Sequence, residues 1–544
     1  MKVLLVTEKC SPDMAQRDGG ARLVSTLRRE LKSSLSIMQF GGEREESVRW
    51  HFHYPNNSSN RFIRRLTNAD FIGEKVKEVE KEFTHIIFAH ISMQFGQVNF
   101  PLSPDKEVWT FPMFLTPSYR LSGENVPDQY FEREQNVLAN ARNILTPSYF
   151  EKEQLLKEYS VPEESIYVVP RGVETTALNP HLRSLQEPIR FCSLGSIKPQ
   201  KDTIGLIRLF AKLRQHFLGS TLALIGPIQD QKYFKTLIKE VRFLNLQDSV
   251  HFLGYVSHEH LYIYLNDKHF HLSMAKCETF GRAIFETLAA GLPNIVKRAG
   301  NAAAEFLEGA PYIHFVDEDD EVILHIETMI SCYESLSRKS LEIGFLFNER
   351  FLSRLLLAKI FRKEMLAISD FDGTLYHKYD EERTKRSFDS FKRFPFRVIC
   401  TARGVEDILK KIAAYGLQVD WIISYSGGVV SDGEGKTLWV TPLLSDQVAA
   451  LSKIISDYRL IEYDGQILQV VCRDTSQLLM GHRIERYEGE TFILPWEASK
   501  LRAVHRLLNH IRWSGRVQVF GDGPSDKELI RYFDGVLINE FSTI

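Results

Sequence analysis

Two acidic residues separated by one position follow a short apolar run near the middle of the chain. Asp370 and Asp372 come directly after Leu366-Ala367-Ile368-Ser369, and Gly373-Thr374 open the next loop. The apolar run predicts a buried strand, and open α/β sheets place their chemistry at the carboxyl ends of strands. Two carboxylates this close repel each other, which favours a divalent cation or a shared proton. One carboxylate can then attack an electrophile while the other handles a proton.

Three later segments also place polar groups at the ends of predicted elements. Val398-Ile399-Cys400 predicts a buried strand that ends in the hydroxyl of Thr401. Lys500 opens an amphipathic helix, and strand Val517–Phe520 leads into the acids Asp522 and Asp526. Together these residues offer carboxylates for Mg2+, a hydroxyl and an ammonium for a phosphoryl group, and a nucleophile.

The segment from 189 to 293 carries a second set of candidate ligands. The strand Ile189–Leu194 is followed by Gly195-Ser196-Ile197-Lys198-Pro199-Gln200-Lys201 and then by a helical pattern from Ile204. A glycine and two lysines between a strand and a helix suit a diphosphate.

Further along, Glu278-Thr279-Phe280-Gly281 precedes a helix in which Glu286 lies eight residues after Glu278. Main-chain N–H groups at that helix start can hold phosphate, and a carboxylate further in can accept hydrogen bonds from ribose hydroxyls. An amphipathic helix with ordinary surface glutamates is the alternative.

The first part of the chain alternates strands and helices. Val3–Val6 predicts a buried parallel strand, and the loop from Thr7 to Asp18 leads to Gly19-Gly20 at the start of a helix. Glycines there let the backbone approach an anion, although a tight turn explains them equally well. Ile86–His90 predicts a strand that ends in His90, either a ligand or a structural histidine.

The composition of the 544 residues indicates ordinary globular domains, with 44% hydrophobic and 25% charged residues. The net charge of -2 gives no argument for nucleic acid or for an anionic membrane surface. Six scattered cysteines without a CxxC pair favour reduced thiols and the cytoplasm. No apolar run approaches the roughly 20 residues that span a bilayer, and the first residues predict a strand rather than a signal peptide. The basic cluster Arg61-Phe62-Ile63-Arg64-Arg65 is expected to be a solvated helix face.

The first 360 residues or so resemble the retaining glycosyltransferases of family four. The resemblance rests on Glu278 and Glu286 with Phe280-Gly281 between them and Ala290-Gly291-Leu292-Pro293 after them. It extends to Gly19-Gly20, His90, Pro170-Arg171-Gly172-Val173 and the diphosphate-gripping Lys201. Sucrose-phosphate synthases are the most similar members, because Thr116–Arg120 resembles their acceptor-side segment. The resemblance implies two Rossmann-like lobes (GT-B), with a UDP- or GDP-sugar held mainly by the second lobe and no protein nucleophile.

One residue departs from that pattern. The family usually has an arginine directly after the glycine of the Gly195 loop, where this chain has Ser196. Lys198 is a substitute cation two residues on.

The C-terminal segment resembles the haloacid-dehalogenase-like (HAD) phosphatases, with all four of their motifs in order. The resemblance implies that Asp370 is the nucleophile and Asp372 the general acid. Thr401 and Lys500 would hold the transferring oxygens. Asp522 would bind Mg2+ with Asp370 and the backbone carbonyl of Asp372, supported by Asp526.

We therefore expect an α/β chain: an N-terminal lobe (1–182), a donor lobe (183–345), a closing helix or linker (346–365) and a HAD-like domain (366–544). About 65 residues, 429–495, would form a small α/β cap, as in sugar-phosphate phosphatases. The expected function is sugar transfer to a phosphorylated acceptor followed by Mg2+-dependent dephosphorylation. The alternatives are an active phosphatase on a pseudo-transferase scaffold and a non-catalytic C-terminal module. Nucleotide-sugars and sugar phosphates are the expected partners, and an oligomer remains possible.

Overall fold

The computed structural model describes residues 2–8, 19–174, 182–473, 482–487 and 489–538. The chain forms two compact units, Met1–Ser353 and Arg354–Ile544. The expected α/β architecture, with Rossmann-like parallel sheets, is confirmed. Across the described ranges, no helix combines the length and apolar character needed to cross a membrane.

The first lobe of unit one is a seven-stranded parallel sheet with helices between its strands. The central strand Val3–Thr7 is buried along its whole length, as its continuous apolar sequence predicts, whereas the edge strand Trp50–Phe52 is only partly buried. The strands are β1 (Val3–Thr7), β2 (Leu35–Phe40), β3 (Trp50–Phe52), β4 (His85–Phe88), β5 (Glu107–Thr110), β6 (Ile144–Thr146) and β7 (Ile166–Val168). The α-helices are α1 (Gly19–Leu31), α2 (Arg61–Thr67), α3 (Ala69–Val79), α4 (Thr116–Leu121), α5 (Asp128–Leu138) and α6 (Tyr149–Glu158).

The second lobe is a six-stranded parallel sheet. Its strands are β8 (Arg190–Leu194), β9 (Thr221–Ile225), β10 (Val250–Gly254), β11 (Phe270–Ser273), β12 (Asn294–Lys297) and β13 (Ile313–Val316). Its helices are α7 (Thr203–His216), α8 (Gln231–Phe243), α9 (Leu261–Leu265), α10 (Arg282–Ala289), α11 (Ala304–Leu307), α12 (Glu321–Ile330), α13 (Tyr333–Ser340) and α14 (Glu342–Leu346). Helix α15 (Glu349–Ile360) follows and contains the division between the two units.

Unit two is built on a seven-stranded mixed sheet. Its strands are β14 (Met365–Ser369), β15 (Phe396–Cys400), β16 (Trp421–Ser424), β17 (Val429–Asp432), β18 (Thr437–Val440), β23 (Arg516–Gly521) and β24 (Val536–Leu537). A separate antiparallel sheet contains β19 (Tyr458–Tyr463), β20 (Gln466–Cys472), β21 (His482–Tyr487) and β22 (Glu490–Pro495). The α-helices are α16 (Glu381–Phe391), α17 (Val405–Ala414), α18 (Ser445–Ser452), α19 (Lys500–His510) and α20 (Lys527–Phe533).

The cap differs from the expected range at its amino end. Residues 429–440 form β17 and β18, which pair antiparallel with the core sheet instead of joining the separate sheet. Val429 and Val430 are fully buried there, which fixes them in the core. The independent part begins with α18, whose apolar residues pack on one face of the small sheet. The cap residues 474–481 and 488 lie outside the described residues.

The strand order explains where the sites lie. In the three large sheets, the direction of strand addition reverses beside β1, β8 and β14, which pair with strands on both sides. Open α/β sheets bind ligands outside the carboxyl ends of strands at such reversal points. Thr7, Gly195 and Asp370 occupy the ends of these three strands, so the fold points each of them to a crevice.

Candidate active sites

The acid cluster of unit two gathers four predicted residues around the end of β14. Carboxylate oxygens of Asp370, Asp522 and Asp526 lie within 4.8 Å of one another. The Nζ of Lys500 donates to Oδ1 of Asp370 at 2.7 Å and to Oδ1 of Asp526 at 2.6 Å. Asp370 and Asp522 follow the adjacent strands β14 and β23, and Lys500 begins α19. The structure thus brings together residues that are up to 156 positions apart.

Burial controls the charge state of this cluster. It raises the pKa of Asp370 to about 7, although the Lys500 ammonium acts in the opposite direction. Burial followed by the nearby Asp526 charge also raises the pKa of Asp522. The carboxylates of Asp370 and Asp526 outweigh the effect of burial on Lys500, whose pKa lies above its usual value. One ammonium among three carboxylates leaves a net negative charge when all are ionised, so the cluster attracts a further cation.

The donor set fits Mg2+. Three carboxylates offer the hard oxygen ligands that Mg2+ prefers. Gly373 opens the space beside them, because a Cβ at this position would lie 1.9 Å from Oδ2 of Asp522. Its φ of +78° also favours glycine. Asp370, Asp522 and Asp526 are therefore the side chains that would hold the ion.

The side chain of Asp372 lies apart from this cluster. Arg403 donates to both carboxylate oxygens of Asp372, from Nε to Oδ2 at 2.6 Å and from Nη2 to Oδ1 at 2.7 Å. Arg403 also donates to Asp407 at 2.7 Å, and its backbone N–H donates to Oγ1 of Thr401 at 3.1 Å. The predicted metal contact of Asp372 through its backbone carbonyl stays a prediction, whereas its carboxylate is held by an arginine. Arg403 therefore fixes the direction of the predicted general acid.

A turn from the core meets the cap beside Thr401. Tyr425 and Ser426 both have positive φ values, 51° and 54°, an unusual backbone state for these residue types. The backbone N–H of Ser426 donates to the carbonyl of Thr401 at 3.0 Å. Its hydroxyl donates to Oε2 of Glu485, in cap strand β21, at 2.6 Å. This turn brings a cap carboxylate to the neighbourhood of the predicted phosphate-holding hydroxyl.

Unit one contains a cleft with a volume of about 630 Å³ between its two lobes. This size is within the usual range of small-molecule sites. The cleft is lined by Thr7 and His90 from the first lobe and by Gly195 and Gly281 from the second. Basic side chains are prominent in its wall: Arg22, Arg61, Arg64, Arg65, Arg171, Lys198, Lys201 and Arg282. The cleft is therefore suited to an anionic ligand.

The two predicted diphosphate lysines differ in their surroundings. Lys201 forms an ion pair with Glu278. Burial and the charge of Lys201 lower the pKa of Lys198 to about 8. Within the described ranges, no carboxylate forms an ion pair with Lys198, and the charges of Glu278 and Glu124 only partly oppose this shift. An arriving anion would offset this desolvation and raise the pKa of Lys198 again, which stabilises the ammonium form.

Glu286 lies in the second lobe but is held partly from the first. It is 8% exposed, and one of its oxygens lies 3.4 Å from Arg22 of helix α1 and 3.7 Å from Nε2 of His258. Burial alone would raise the pKa of Glu286, but His258 and Arg22 keep that pKa below its usual value. Arg22 also lies 3.3 Å from Glu349. Glu286 is thus an ionised acceptor at the junction of the two lobes.

Two family models match separate parts of the chain. Residues 175–340 match the family described as Glycosyl transferases group 1, and residues 367–475 match haloacid dehalogenase-like hydrolase. The chain carries a group 1 glycosyltransferase domain and a HAD-like hydrolase domain. The prediction from the sequence that the chain is an enzyme with both kinds of domain is confirmed.

Known proteins are similar to the glycosyltransferase part. The MMP alpha-(1->4)-mannosyltransferase of Mycolicibacterium hassiacum is 26% identical over 171 residues, which cover 31% of this chain and 40% of that enzyme. This chain thus matches less than half of that relative's length. Sucrose-phosphate synthase from Thermosynechococcus elongatus has a TM-score of 0.57 at 15% identity, over 66% of this chain and 98% of that one. Anabaena Alr3699/HepE, solved in complex with UDP and glucose, has a TM-score of 0.54 at 15% identity, over 66% and 100% of the two chains. These two likenesses establish the GT-B fold.

Other predicted donor ligands of the glycosyltransferase part take various positions. Thr279 lines the cleft, whereas the ring of Phe280 is buried and stacks on Phe285, so only its backbone is available to a ligand. His90 accepts from the backbone N–H of Ser92 at 3.1 Å and also lines the cleft. Gly19 and Gly20 begin α1, and residues 9–18 of the preceding loop lie outside the described residues.

The expectation of a solvated helix face from Arg61 to Arg65 holds for Arg61 and Ile63, which are exposed, but not for the whole cluster. Helix α2 buries Phe62 and Arg65, and Arg65 donates to Glu8 at 2.7 Å. Arg61 and Arg64 line the cleft. The i, i+3 spacing places these two on one helix face, and the buried residues fix that face toward the cleft.

Several site residues were missed by sequence reasoning. Arg22 lies two residues after the predicted Gly20, Arg282 directly follows the predicted Gly281, and Arg403 lies two residues after Thr401. A basic residue within two positions of a predicted site residue was the signal in the sequence that could have identified them. Glu485 offered none, because nothing in a cap strand shows which side chains turn toward the core.

Proposed function

We propose that the chain is a bifunctional enzyme that transfers a sugar with retention from a nucleotide-sugar to a phosphorylated acceptor and then removes the phosphate. The observation that carries this proposal is the presence, in one chain, of a basic cleft in a glycosyltransferase fold and a lysine-bridged acid cluster in a HAD-like unit. Hydrolysis of the phosphate would make the overall synthesis effectively irreversible. This consequence is a physical reason for joining the two activities.

In the cleft, basic groups perform the transfer by stabilising the departing diphosphate. Lys198, with its lowered pKa, and Lys201 are the proposed cations, and the N–H groups at the start of α10 add to them. Glu278 keeps Lys201 in place and Glu286 accepts from the ribose. No side chain needs to act as a nucleophile, because the acceptor attacks on the face from which the nucleotide leaves.

In unit two, Asp370 attacks phosphorus and forms an aspartyl phosphate while the sugar alcohol leaves. Asp372 protonates that alcohol and then takes the proton from the water that hydrolyses the aspartyl phosphate. Thr401 donates to a transferring oxygen, because its Oγ1 accepts from Arg403 and its own O–H is free to point elsewhere. Lys500 neutralises Asp370. Mg2+ would supply the positive charge that lets a carboxylate approach a phosphate.

The donor is proposed to be a UDP- or GDP-sugar. The Anabaena relative was solved with UDP and glucose, and the relative from Mycolicibacterium hassiacum is a mannosyltransferase. These names favour UDP-glucose as the first donor to test and a mannosyl donor as the second.

The domain boundaries at 182/183, 345/346 and 365/366 and a cytoplasmic location belong to the same proposal. Arg183, at the first of these boundaries, is buried and donates to backbone carbonyls of the second lobe, including that of Ala290 at 2.7 Å. Cys192, Cys277, Cys332, Cys400 and Cys472 are free thiols, which supports a reducing compartment.

A second candidate keeps the phosphatase and makes unit one a sugar-nucleotide-binding scaffold. Ser196, which lines the cleft, favours it because a hydroxyl offers less stabilisation to a diphosphate than a guanidinium.

Two assays on the full chain test the proposal. Nucleotide release from UDP- and GDP-sugars is measured with glucose 6-phosphate and fructose 6-phosphate as acceptors, comparing the native chain with Lys198→Met. Phosphate release from sugar phosphates is measured with Mg2+, comparing the native chain with Asp370→Asn. We expect each substitution to abolish its own reaction. Phosphate release without nucleotide release from any donor would favour the scaffold instead.

A further inference from the structure

The basic side chains of the cleft fall into two groups according to their partners. Arg22 interacts with Glu286 and Glu349, Arg61 with Glu124, Arg65 with Glu8, and Lys201 with Glu278. Arg64 donates to the carbonyl of Ser58 at 3.1 Å. Lys198 is assigned to the donor diphosphate. Arg171 and Arg282 remain without an assigned anion.

Arg171 reaches the cleft from the segment after β7. Its guanidinium carbon lies 5.4 Å from the centre of the Phe111 ring. Burial lowers the pKa of Arg171 to about 10, and the Glu151 charge only partly opposes this effect. No carboxylate in the described part of the chain forms an ion pair with it.

Arg282 reaches the cleft from the other lobe. It follows Gly281, whose φ is +80°, and is the first residue of α10. Its Nε is buried and has no hydrogen-bond partner among the described residues. Burial and the Arg22 charge lower the pKa of Arg282 to about 10, although Glu286 and Glu349 act in the opposite direction. The Arg171 charge lowers it further, and the two side chains line the same cleft.

Both side chains are half-buried, and neither has an ion-pair partner among the described residues. Guanidinium groups that have lost much of their hydration in this way gain from a ligand that supplies negative charge. Guanidinium groups bind phosphate oxygens through paired N–H donors, and one arginine from each lobe would clasp a phosphate between the lobes. The nucleotide diphosphate already has Lys198, Lys201 and the backbone N–H groups. The unassigned pair therefore serves a different anionic group.

We propose that Arg171 and Arg282 form a second anion subsite in the cleft, which binds the phosphoryl group of the acceptor. This assignment rests on the proposed function and deepens it by naming the groups that select a phosphorylated acceptor. Arg61 and Arg64 line the same cleft but are already engaged by Glu124 and by the Ser58 carbonyl. They are therefore not the primary phosphate ligands.

Binding of inorganic phosphate to the UDP-saturated full chain tests the subsite. Calorimetry is performed in an Asp370→Asn background with EDTA, so that the acid cluster neither turns over nor attracts phosphate. The variants are Arg171→Gln, Arg282→Gln, Arg282→Lys and, as a matched control from the same cleft, Arg64→Gln. Circular dichroism verifies that each variant is folded.

We expect Arg171→Gln and Arg282→Gln to weaken phosphate binding by about 10-fold or more while the affinity for UDP changes less than 2-fold. Arg282→Lys keeps the positive charge and is expected to retain most of the binding, and Arg64→Gln is expected to bind like the native chain. Unchanged phosphate binding in both glutamine variants, an equal loss of UDP affinity, or an equal loss in Arg64→Gln would overturn the subsite. No phosphate binding by the native chain would overturn it as well.

The test separates this inference from the proposed function. If UDP does not bind but phosphate still requires Arg171 and Arg282, the subsite stands and the transferase proposal fails. If UDP binds and phosphate does not depend on these arginines, the transferase proposal stands and the subsite fails. The kinetic counterpart is the KM of the sugar-phosphate acceptor, which should rise more than kcat falls.

Discussion

The cleft of unit one and the acid cluster of unit two prepare for anionic substrates in opposite ways. In the described cleft wall, eight basic side chains face four carboxylates, so the protein itself supplies the positive charge. In the acid cluster, one buried lysine serves three carboxylates, and the balance of charge remains negative. We infer that the cations of the cleft suit it to bind a diphosphate without a metal, whereas the acid cluster would require a cation before a phosphate could approach.

Removal of the metal should produce the largest difference between the activities of the two units. With EDTA, phosphate release from sugar phosphates should fall by about 100-fold or more, because Lys500 alone does not balance the charge of three carboxylates. Nucleotide release should change less than 2-fold, since the cleft has its own cations. Both rates are measured on the same preparation, and added Mg2+ should restore the first. An equal loss of both rates would show that the cleft depends on the metal as much as the acid cluster does.

Substitution of Lys500 should be the next largest effect. Lys500→Met leaves Asp370 and Asp526 buried without their common cation, which we expect to destabilise unit two by about 3–5 kcal/mol. Lys198→Met is the matched change in the cleft. It removes an ammonium without a carboxylate partner among the described residues, so stability should fall little or rise. Denaturant titration of both variants checks this, and similar losses would contradict the contrast in charge balance.

The sequence predicted the acid cluster far better than the cleft, for a physical reason. Asp370, Thr401 and Asp522 each stand at the end of an apolar strand, and parallel strands bring such ends together whatever lies between them. The cleft arginines lie on helices and turns of two lobes, where sequence spacing does not show which direction a side chain takes. Arg282 illustrates the problem, because its significance depends on Arg171, 111 residues earlier.

The cap and the basic cluster show the same limit. The apolar residues of β17 fit a core strand and a cap strand equally well, and only the pairing with β16 decides between them. In α2, the buried Phe62 and Arg65 set the helix rotation that turns Arg61 and Arg64 to the cleft. Tertiary packing supplies this information, and local sequence does not.

Substitution of Arg403 should distinguish the general acid from the rest of the acid centre. Arg403→Lys replaces a fork that holds both oxygens of Asp372 with a point charge. Sugar alcohols need a proton on leaving and p-nitrophenolate does not, so we expect kcat/KM to fall about 10-fold for sugar phosphates and less than 2-fold for p-nitrophenyl phosphate. The comparison uses kcat/KM because the later hydrolysis of the aspartyl phosphate requires Asp372 with either substrate. Equal losses for the two substrates would show that Arg403 has no specific effect on Asp372.

The last expected effect concerns a buried acid of unit one and leaves both activities unchanged. Burial raises the pKa of Glu151 to about 8, and neither of its carboxylate oxygens has a hydrogen-bond partner in the described part of the chain. Between pH 4.5 and about 8 the folded state then binds one more proton than the unfolded state. The stability that this proton confers is lost as the pH rises through that window, by up to about 1.4 kcal/mol per pH unit.

Glu151→Gln should therefore flatten the pH dependence of unit one. Thermal unfolding of both proteins from pH 5 to pH 9 measures it. Glu80→Gln is a suitable control variant, because the ion pair of Glu80 with Lys77 and its hydrogen bonds with Ser103 lower the pKa of Glu80. Parallel curves for the native chain and Glu151→Gln would show that Glu151 ionises normally.

Mass spectrometry of the reaction product gives the most direct test of the proposed transfer followed by dephosphorylation. The native chain and Asp370→Asn are incubated with Mg2+, a UDP-sugar and a sugar-phosphate acceptor, and both nucleotide and products are followed. We expect the native chain to yield an unphosphorylated glycoside. Asp370→Asn is expected to release nucleotide at a similar rate and to accumulate the phosphorylated glycoside. The same product from both proteins, or no glycoside from either, would contradict this proposal.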